Sequence, residues 1–410
     1  MLLINLFTKF INDYFRFYSS MKEEALKYHE NGKIGISVSK PLKNKYDLSL
    51  AYTPGVAEVC LHIKDNPSAV FDYTLKKNTV AIISDGSRVL GLGKIGAEAA
   101  IPVMEGKAMI FKKMANIDAF PICIKTQDKD EFINIVKNIS PVFGGINLED
   151  IEVPKCFEIE EALQGIGIPV MHDDQHGTAI VALAGLLNAA KVAKKDIDEM
   201  KIVVNGAGAA GSSIVKLLKC HHMNKDVCIP VKEIIVCDSN GIISRNRKDL
   251  KPYKKEISMM TNAGNIDGSL EDALHGADAF IGASSPDVLA PSMIKLMNDK
   301  PIIFALANPK PEIMPEEAMK AGAFIMATGR SDYPNQINNM LAFPGIFRGA
   351  LDSRAKVINN EMKLAAAHAI ANTLKTPSQS MIIPNSFDME VPKNVAAAVK
   401  AMAITTRASK

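Results

Sequence analysis

Apolar positions along this chain follow two periods. Short apolar runs at 80–84, 119–124, 142–146 and 168–171 are separated by helically spaced segments at 96–115, 130–139 and 158–164. Strand–helix alternation of this kind predicts a parallel sheet covered by helices. The stretch 177–193 reads as a long apolar helix leading away from that sheet, and the charged stretch 194–201 as a surface connection. A second alternating series, at 202–205, 234–237, 279–281, 302–305 and 324–327, predicts a five-stranded doubly wound unit. After Gly345 the pattern is helical, clearest at 351–374 and 394–404. The expected layout is an α/β chain of two domains, 21–195 and 196–345. The last helices, 346–410, are placed to return to the first domain.

Composition changes this picture little. The 410 residues are 47% hydrophobic and 23% charged with a net charge of +3, ordinary for a soluble enzyme. No basic run interleaved with aromatics argues for nucleic acid, and no uninterrupted apolar run approaches the ~20 residues of a membrane span. The cysteines (Cys60, Cys123, Cys156, Cys220, Cys228, Cys237) are scattered without a CxxC pair. They read as reduced thiols, and the expected compartment is the cytoplasm. Residues 1–20 place Leu3, Phe7, Phe10, Tyr14 and Tyr18 at helical spacing. We read them as an amphipathic extension packed on the body or a partner subunit, in preference to a targeting helix, because Asp13 is unwelcome in a transit peptide.

The first candidate site is a glycine-rich loop. In KIVVNGAGAAG, Gly206, Gly208 and Gly211 have GxGxxG spacing, with Ala207, Ala209 and Ala210 between them. A strand enters the loop and a helix leaves it. The spacing suits a tight turn, close approach of a pyrophosphate and close helix–strand packing, which predicts a Rossmann-type NAD(P)-binding domain. Asp238, ending the next strand, is the candidate for the ribose hydroxyls and favours NAD. Arg245, Arg247 and Lys248 follow closely and suit a 2′-phosphate, so NAD and NADP both remain open.

The second site is acidic. Glu149 and Asp150 in NLEDI, and Asp173 and Asp174 in MHDDQHGT, stand where strands should end. Adjacent carboxylates diverge in regular structure, so a doublet reaches one ion only from a strand end or an irregular turn. Hard oxygen donors suit Mg²⁺ or Mn²⁺. His172 and His176 have i, i+4 spacing, but without HExxH we assign them to pocket shape and backbone bonding rather than zinc. Lys107 sits in an apolar context; a basic role near neutral pH requires burial or a nearby cation. Tyr52, held by Pro54 and Gly55, is a candidate proton donor.

The segments AYTPGVAEVC, SDGSRVLGLGKIG, INLEDI, HDDQHGTA, NGAGAAG, ANPKPEI, TGRSDYPNQINN and FPGIFRGALD, in this order, resemble the short form of the malic enzyme family over nearly all of residues 21–410. The resemblance implies an N-terminal α/β substrate and metal domain joined to the NAD(P) domain. It also implies metal-assisted oxidative decarboxylation of malate to pyruvate. On the matching positions it makes Glu149, Asp150 and Asp174 the metal ligands. Lys107 becomes the base at the C2 hydroxyl, oriented by Asp173, and Tyr52 the proton donor to C3. Arg88 matches a substrate-carboxylate position of longer family forms; Asn308, Asn338 and Asn339 match positions near nicotinamide and malate. A homodimer or larger homo-oligomer is expected, with Tyr52 acting in its own or a neighbouring subunit. Competing readings are a malolactic enzyme releasing lactate, an amino-acid dehydrogenase, and a non-catalytic metabolite sensor.

Overall fold

The structure, a computed structural model, describes residues 21–89, 91–223, 228 and 230–409; the amphipathic extension 1–20 lies outside them. Two sheets organise the chain. The first has strands β1 (Thr79–Ser84), β2 (Asp118–Cys123), β3 (Gly145–Leu148) and β4 (Val170–His172), all parallel, in the order β2-β1-β3-β4. The second has β5 (Lys201–Asn205), β6 (Glu233–Asp238), β7 (Gly241–Ile242), β8 (Ala279–Gly282), β9 (Ile302–Ala305) and β10 (Ile325–Thr328), in the order β10-β9-β8-β5-β6-β7. Counted from β5, that is the doubly wound order, with its topological switch between β5 and β8. Only β7 runs antiparallel. It was not expected, because a two-residue strand carries no periodicity.

Central strands of both sheets, such as β1, β3, β8 and β9, are buried throughout, as parallel strands covered on two faces must be. The helices that position the site are α1 (Lys45–Ala51), α2 (Val56–Asp65), α3 (Ala97–Ala115), α4 (Lys129–Ile139), α5 (Lys155–Ala162), α6 (Asp173–Ala193), α7 (Ala209–Leu218), α8 (Pro252–Met260), α9 (Phe343–Asp352), α10 (Asn360–Thr373) and α11 (Glu390–Thr405). Helix α6 joins the two sheets and packs on α7 and α10. By length and composition alone it passes as a membrane span, although His176, Asn188 and Lys191 interrupt its apolar run. It is mostly buried inside the fold, which accounts for its apolarity. Helix α9 packs back on α3, where Phe111 meets Phe343 and Phe347 at ring-centroid separations of 4.8 and 5.5 Å.

Several sequence expectations need correction. Helix α6 starts at Asp173 rather than 177, because acidic residues suit a first turn. The helix expected over 351–374 is two, α9 and α10, broken where Arg354 takes φ +50°. Buried Ile358 kept the apolar pattern running across the break. The cysteines are not all free. Cys220 and Cys228 form a disulfide with Cα atoms 5.8 Å apart, leaving Cys60, Cys123, Cys156 and Cys237 as thiols. Scattered spacing does not reveal such a pair, because the chain must first turn back after α7 to bring the two together.

Candidate active site

Strand β3 ends at Leu148, and Asp150 then adopts φ +54°. This left-handed step turns the chain, so that Glu149 and Asp150 approach one place instead of diverging. Helix α6 supplies the other doublet from its first turn, where neighbouring side chains splay by about 100°. The splay separates their partners. Asp174 joins Glu149 and Asp150, with one carboxylate oxygen from each within 4.8 Å of the others, and its Oδ2 accepts from Asp150 N at 2.8 Å. Asp173 turns to Lys107 instead.

Lys107 comes from the middle of α3 and is buried. Its Nζ lies 2.6 Å from Asp173 Oδ2, in contact with Glu149 Oε2, and 4.5 Å from the centroid of the Phe343 ring. Burial lowers its pKa, but Asp173, Glu149 and Asp174 outweigh that and hold it above the ordinary lysine value. The cation that a basic role needs is therefore not supplied by the protein itself. Burial pushes Glu149 well up, opposed by Lys107 and reinforced by Asp174, Asp173 and Asp150. A cluster of carboxylates this crowded with negative charge is a site that a divalent cation would relieve, and its all-oxygen donors fit Mg²⁺ or Mn²⁺.

Residues around the cluster, only some of them singled out from the sequence, hold this arrangement. Asn147 Nδ2 donates to Glu149 Oε2 at 2.8 Å; i, i+2 spacing on the strand was the available signal. Asn339, expected near nicotinamide and malate, donates to Asp173 Oδ2 at 2.6 Å. An added Cβ on Gly177 would lie 1.9 Å from Asp173 Oδ1, so glycine one turn along α6 makes room for the acid. Glu160 on α5 accepts from His172 N at 2.9 Å, Gln175 Nε2 at 3.0 Å and His176 Nε2 at 3.0 Å. Burial raises its pKa, but His176 and Lys363 bring it down to about 2. His176 is thus spent on structure; among the described residues the cluster is made of carboxylates alone, with His172 Nε2 standing 3.7 Å from Asp174 Oδ2.

The other expected residues are spread more widely. Arg88 is exposed; its backbone N–H donates to Asp150 O at 3.0 Å. Asn338 caps the 3-10 turn after it, accepting from Met340 N at 3.0 Å. Asn308 and Pro309 abut Gly91, on which an added Cβ would lie 3.1 Å from Asn308 O and 3.0 Å from Pro309 Cδ. Tyr52 ends α1 and is 68% exposed, and its backbone N–H bonds Leu48 O.

At the switch between β5 and β8, Gly206 takes φ +115° with its would-be Cβ 2.4 Å from Ala283 O. An added Cβ on Gly211 would lie 1.8 Å from Gly206 O, whereas one on Gly208 would meet nothing within 4 Å. Gly208 caps α7, whose first residues are Ala209 and Ala210. Tight packing at the outer glycines and open space at the middle one fit a pyrophosphate over the helix N-terminus. Asp238 ends β6 and is doubly paired, with Arg247 at 2.8 Å and Lys254 at 2.5 Å. Burial raises its pKa and these partners bring it below the usual carboxylate range.

Fold and site together define a two-domain, dinucleotide-dependent oxidoreductase with a carboxylate cluster beside a buried lysine. Residues 31–164 match the malic enzyme N-terminal domain and residues 175–404 the malic enzyme NAD-binding domain. The chain belongs to the malic enzyme family. It is 52% identical over 393 residues to the bifunctional malic/malolactic enzyme of Bacillus subtilis, covering 94% of each chain. It is 51% identical to the NAD-dependent malic enzyme of Geobacillus stearothermophilus, covering 94% of this chain and 80% of that one. The crystal structure of malic enzyme from Pyrococcus horikoshii superimposes with a TM-score of 0.89 at 48% identity, covering 95% of this chain and 92% of that chain.

Proposed function

We propose that this chain oxidatively decarboxylates L-malate to pyruvate and CO₂, with NAD⁺ as its preferred acceptor. The observation that carries this reading is Lys107 Nζ held between Glu149 and Asp173 at the edge of the three-carboxylate cluster. Glu149, Asp150 and Asp174 would hold Mg²⁺ or Mn²⁺. When bound, the nicotinamide accepts hydride from C2, and the cation stabilises negative charge on substrate oxygens. Lys107 takes the C2 hydroxyl proton at Nζ; withdrawal of Glu149 to a cation would remove one of the charges that keep Nζ protonated. Asp173, fixed by Asn339, orients that amine. The C3–C4 bond of the oxaloacetate formed then breaks, and CO₂ leaves while the bond's electron pair is retained as the C2–C3 enolate. Tyr52 delivers one proton to C3 of that enolate to give pyruvate, the proton held on Lys107 restoring the tyrosine. Arg88, Asn308 and Asn338 remain the proposed substrate and nicotinamide contacts. In a spectrophotometric assay with L-malate and Mn²⁺ we expect malate-dependent NADH formation that stops on chelation. No reduction of either NAD⁺ or NADP⁺ would remove the proposal.

The name of the Bacillus subtilis relative supports a second reading, a malolactic turnover that retains the cofactor. Lactate without accumulated NADH in the same assay identifies it.

The NAD preference rests on Asp238. An acid at this strand end suits ribose hydroxyls and repels a 2′-phosphate. Arg247 is engaged by Asp238 and Asp249, and the Arg245 guanidinium bonds Ala263 O. Asp238→Ser removes the acid and releases Arg247 and Lys254. We expect kcat/KM for NADP⁺ to rise about tenfold relative to NAD⁺, the scale of one charge-assisted contact. An unchanged ratio would place cofactor choice elsewhere.

We further propose a homodimer in which Tyr52 serves the partner's site. Helices α1 and α2 bury no residue within the chain. Around them Ile36 is 93%, Val38 84% and Tyr46 71% exposed, a cluster of exposed large apolar side chains of the kind that marks an interaction surface. Mixing and refolding Tyr52→Phe with Lys107→Ala protein tests this. Activity above that of either parent is expected, since one site of the mixed dimer regains both groups. A tyrosine working within its own subunit gives no recovery.

A further inference from the structure

We infer that Glu312 is a positioning residue that fixes the two loops lining the nicotinamide side of the cofactor crevice. The inference rests on the dinucleotide reading above. Glu312 is fully buried and is not one of the three clustered carboxylates. Its Oε1 accepts from Ser284 N at 2.9 Å and Ser284 Oγ at 3.4 Å; its Oε2 accepts from Ala307 N at 3.0 Å. Ser284 follows β8 and Ala307 follows β9. One carboxylate therefore ties together the C-terminal ends of two neighbouring strands, on the side where doubly wound sheets bind their cofactor.

The tie extends in both directions. Ser284 Oγ accepts from Asn205 Nδ2 at 2.8 Å, which brings in the end of β5 just before the glycine loop. Ala283 O lies against Gly206 itself. On the other side, Ala307 leads into Asn308 and Pro309, which abut Gly91 of the first domain. Gly91 belongs to the same loop as Arg88, whose backbone N–H bonds Asp150 O. Contacts thus run from the dinucleotide loop through Glu312 to Gly91 of the first domain. Gly282 leaves room for the acid, since a Cβ there would lie 2.4 Å from Glu312 Cδ. Burial pushes its pKa up, opposed by the N–H groups of Ala307 and Ser284.

A carboxylate can satisfy both loops because both of its oxygens only accept. An amide cannot, since its NH₂ must face a backbone N–H on one side. Glu312→Gln is therefore the decisive variant, and NADH binding, followed by nicotinamide fluorescence without malate or metal, is the readout. We expect the NADH Kd to rise about tenfold in Glu312→Gln, with Mn²⁺ binding unchanged. In Ser284→Ala, which loses only the hydroxyl link, we expect about threefold, both on the scale of one or two buried hydrogen bonds. NADH affinity within twofold of wild type in a folded Glu312→Gln protein overturns the inference, as does a matching fall in Mn²⁺ affinity. If Glu312→Gln does not fold, Ser284→Ala decides alone. Wild-type protein that binds neither NADH nor NADPH defeats the dinucleotide reading instead.

Discussion

Replacing Lys107 by alanine should lower kcat by about 10²- to 10⁴-fold, the range for losing a positioned acid–base group. The reason is local. This side chain brings a movable proton into the space between Glu149 and Asp173. The change also leaves those two buried carboxylates facing each other without their cation, which costs stability. They can neutralise by taking up protons, because burial already raises both. Circular dichroism should therefore show a folded protein with a lower Tm. The KM for malate should move far less than kcat, as expected of a group acting in the chemical step. Turnover within tenfold of wild type would take Lys107 out of the mechanism.

The second large effect is expected from Asp174→Asn. The amide keeps an oxygen where Asp174 Oδ2 accepts from Asp150 N, so the geometry of the turn survives while one negative charge is lost. Loss of an outer-shell partner already weakens metal binding by 10- to 100-fold; loss of a ligand charge should raise the Mn²⁺ Kd by more than about 100-fold. Titration of free Mn²⁺ by electron paramagnetic resonance measures it. The metal-free variant should keep its fold, because Asp174 disfavours ionised Glu149 but favours protonated Lys107, and the two effects oppose each other. Unchanged Mn²⁺ affinity would show that the carboxylates do not bind a cation together.

Much of the site was legible in the chain because its chemistry is carried by short segments. The GxGxxG spacing, the Glu149–Asp150 turn and the Asp173–Asp174 doublet each express a local backbone requirement, and each stands at the predicted kind of place. Strand boundaries were less secure. The strand expected at 142–146 is Gly145–Leu148, because Ser140–Val142 closes a 3-10 turn around Pro141. Val142 and Phe143 look strand-like in sequence, yet Phe143 is apolar for another reason: it packs 6.0 Å from Phe120 on β2, centroid to centroid.

The partners of each side chain were not legible. Asn339 lies 166 positions from Asp173, and the asparagines around it gave no reason to choose it for that acid over the nicotinamide. The pairing of Asp238 with Arg247 and Lys254 could not be told from a free phosphate site. The link from Glu312 to Ser284 was invisible, because both lie in loops whose sequences carry no period.

The sequence alone determined the two alternating series, the dinucleotide loop and the identity of the acidic groups, since these depend on residue type and spacing over a few positions. Only the tertiary structure decided that Asp173 belongs to Lys107 while Asp174 belongs to Glu149 and Asp150. It alone decided that Lys107 is surrounded by negative charge, and that Tyr52 stands on an open apolar face. Those outcomes depend on which strand end meets which helix start, and charge and burial at such a junction are set by elements far apart along the chain.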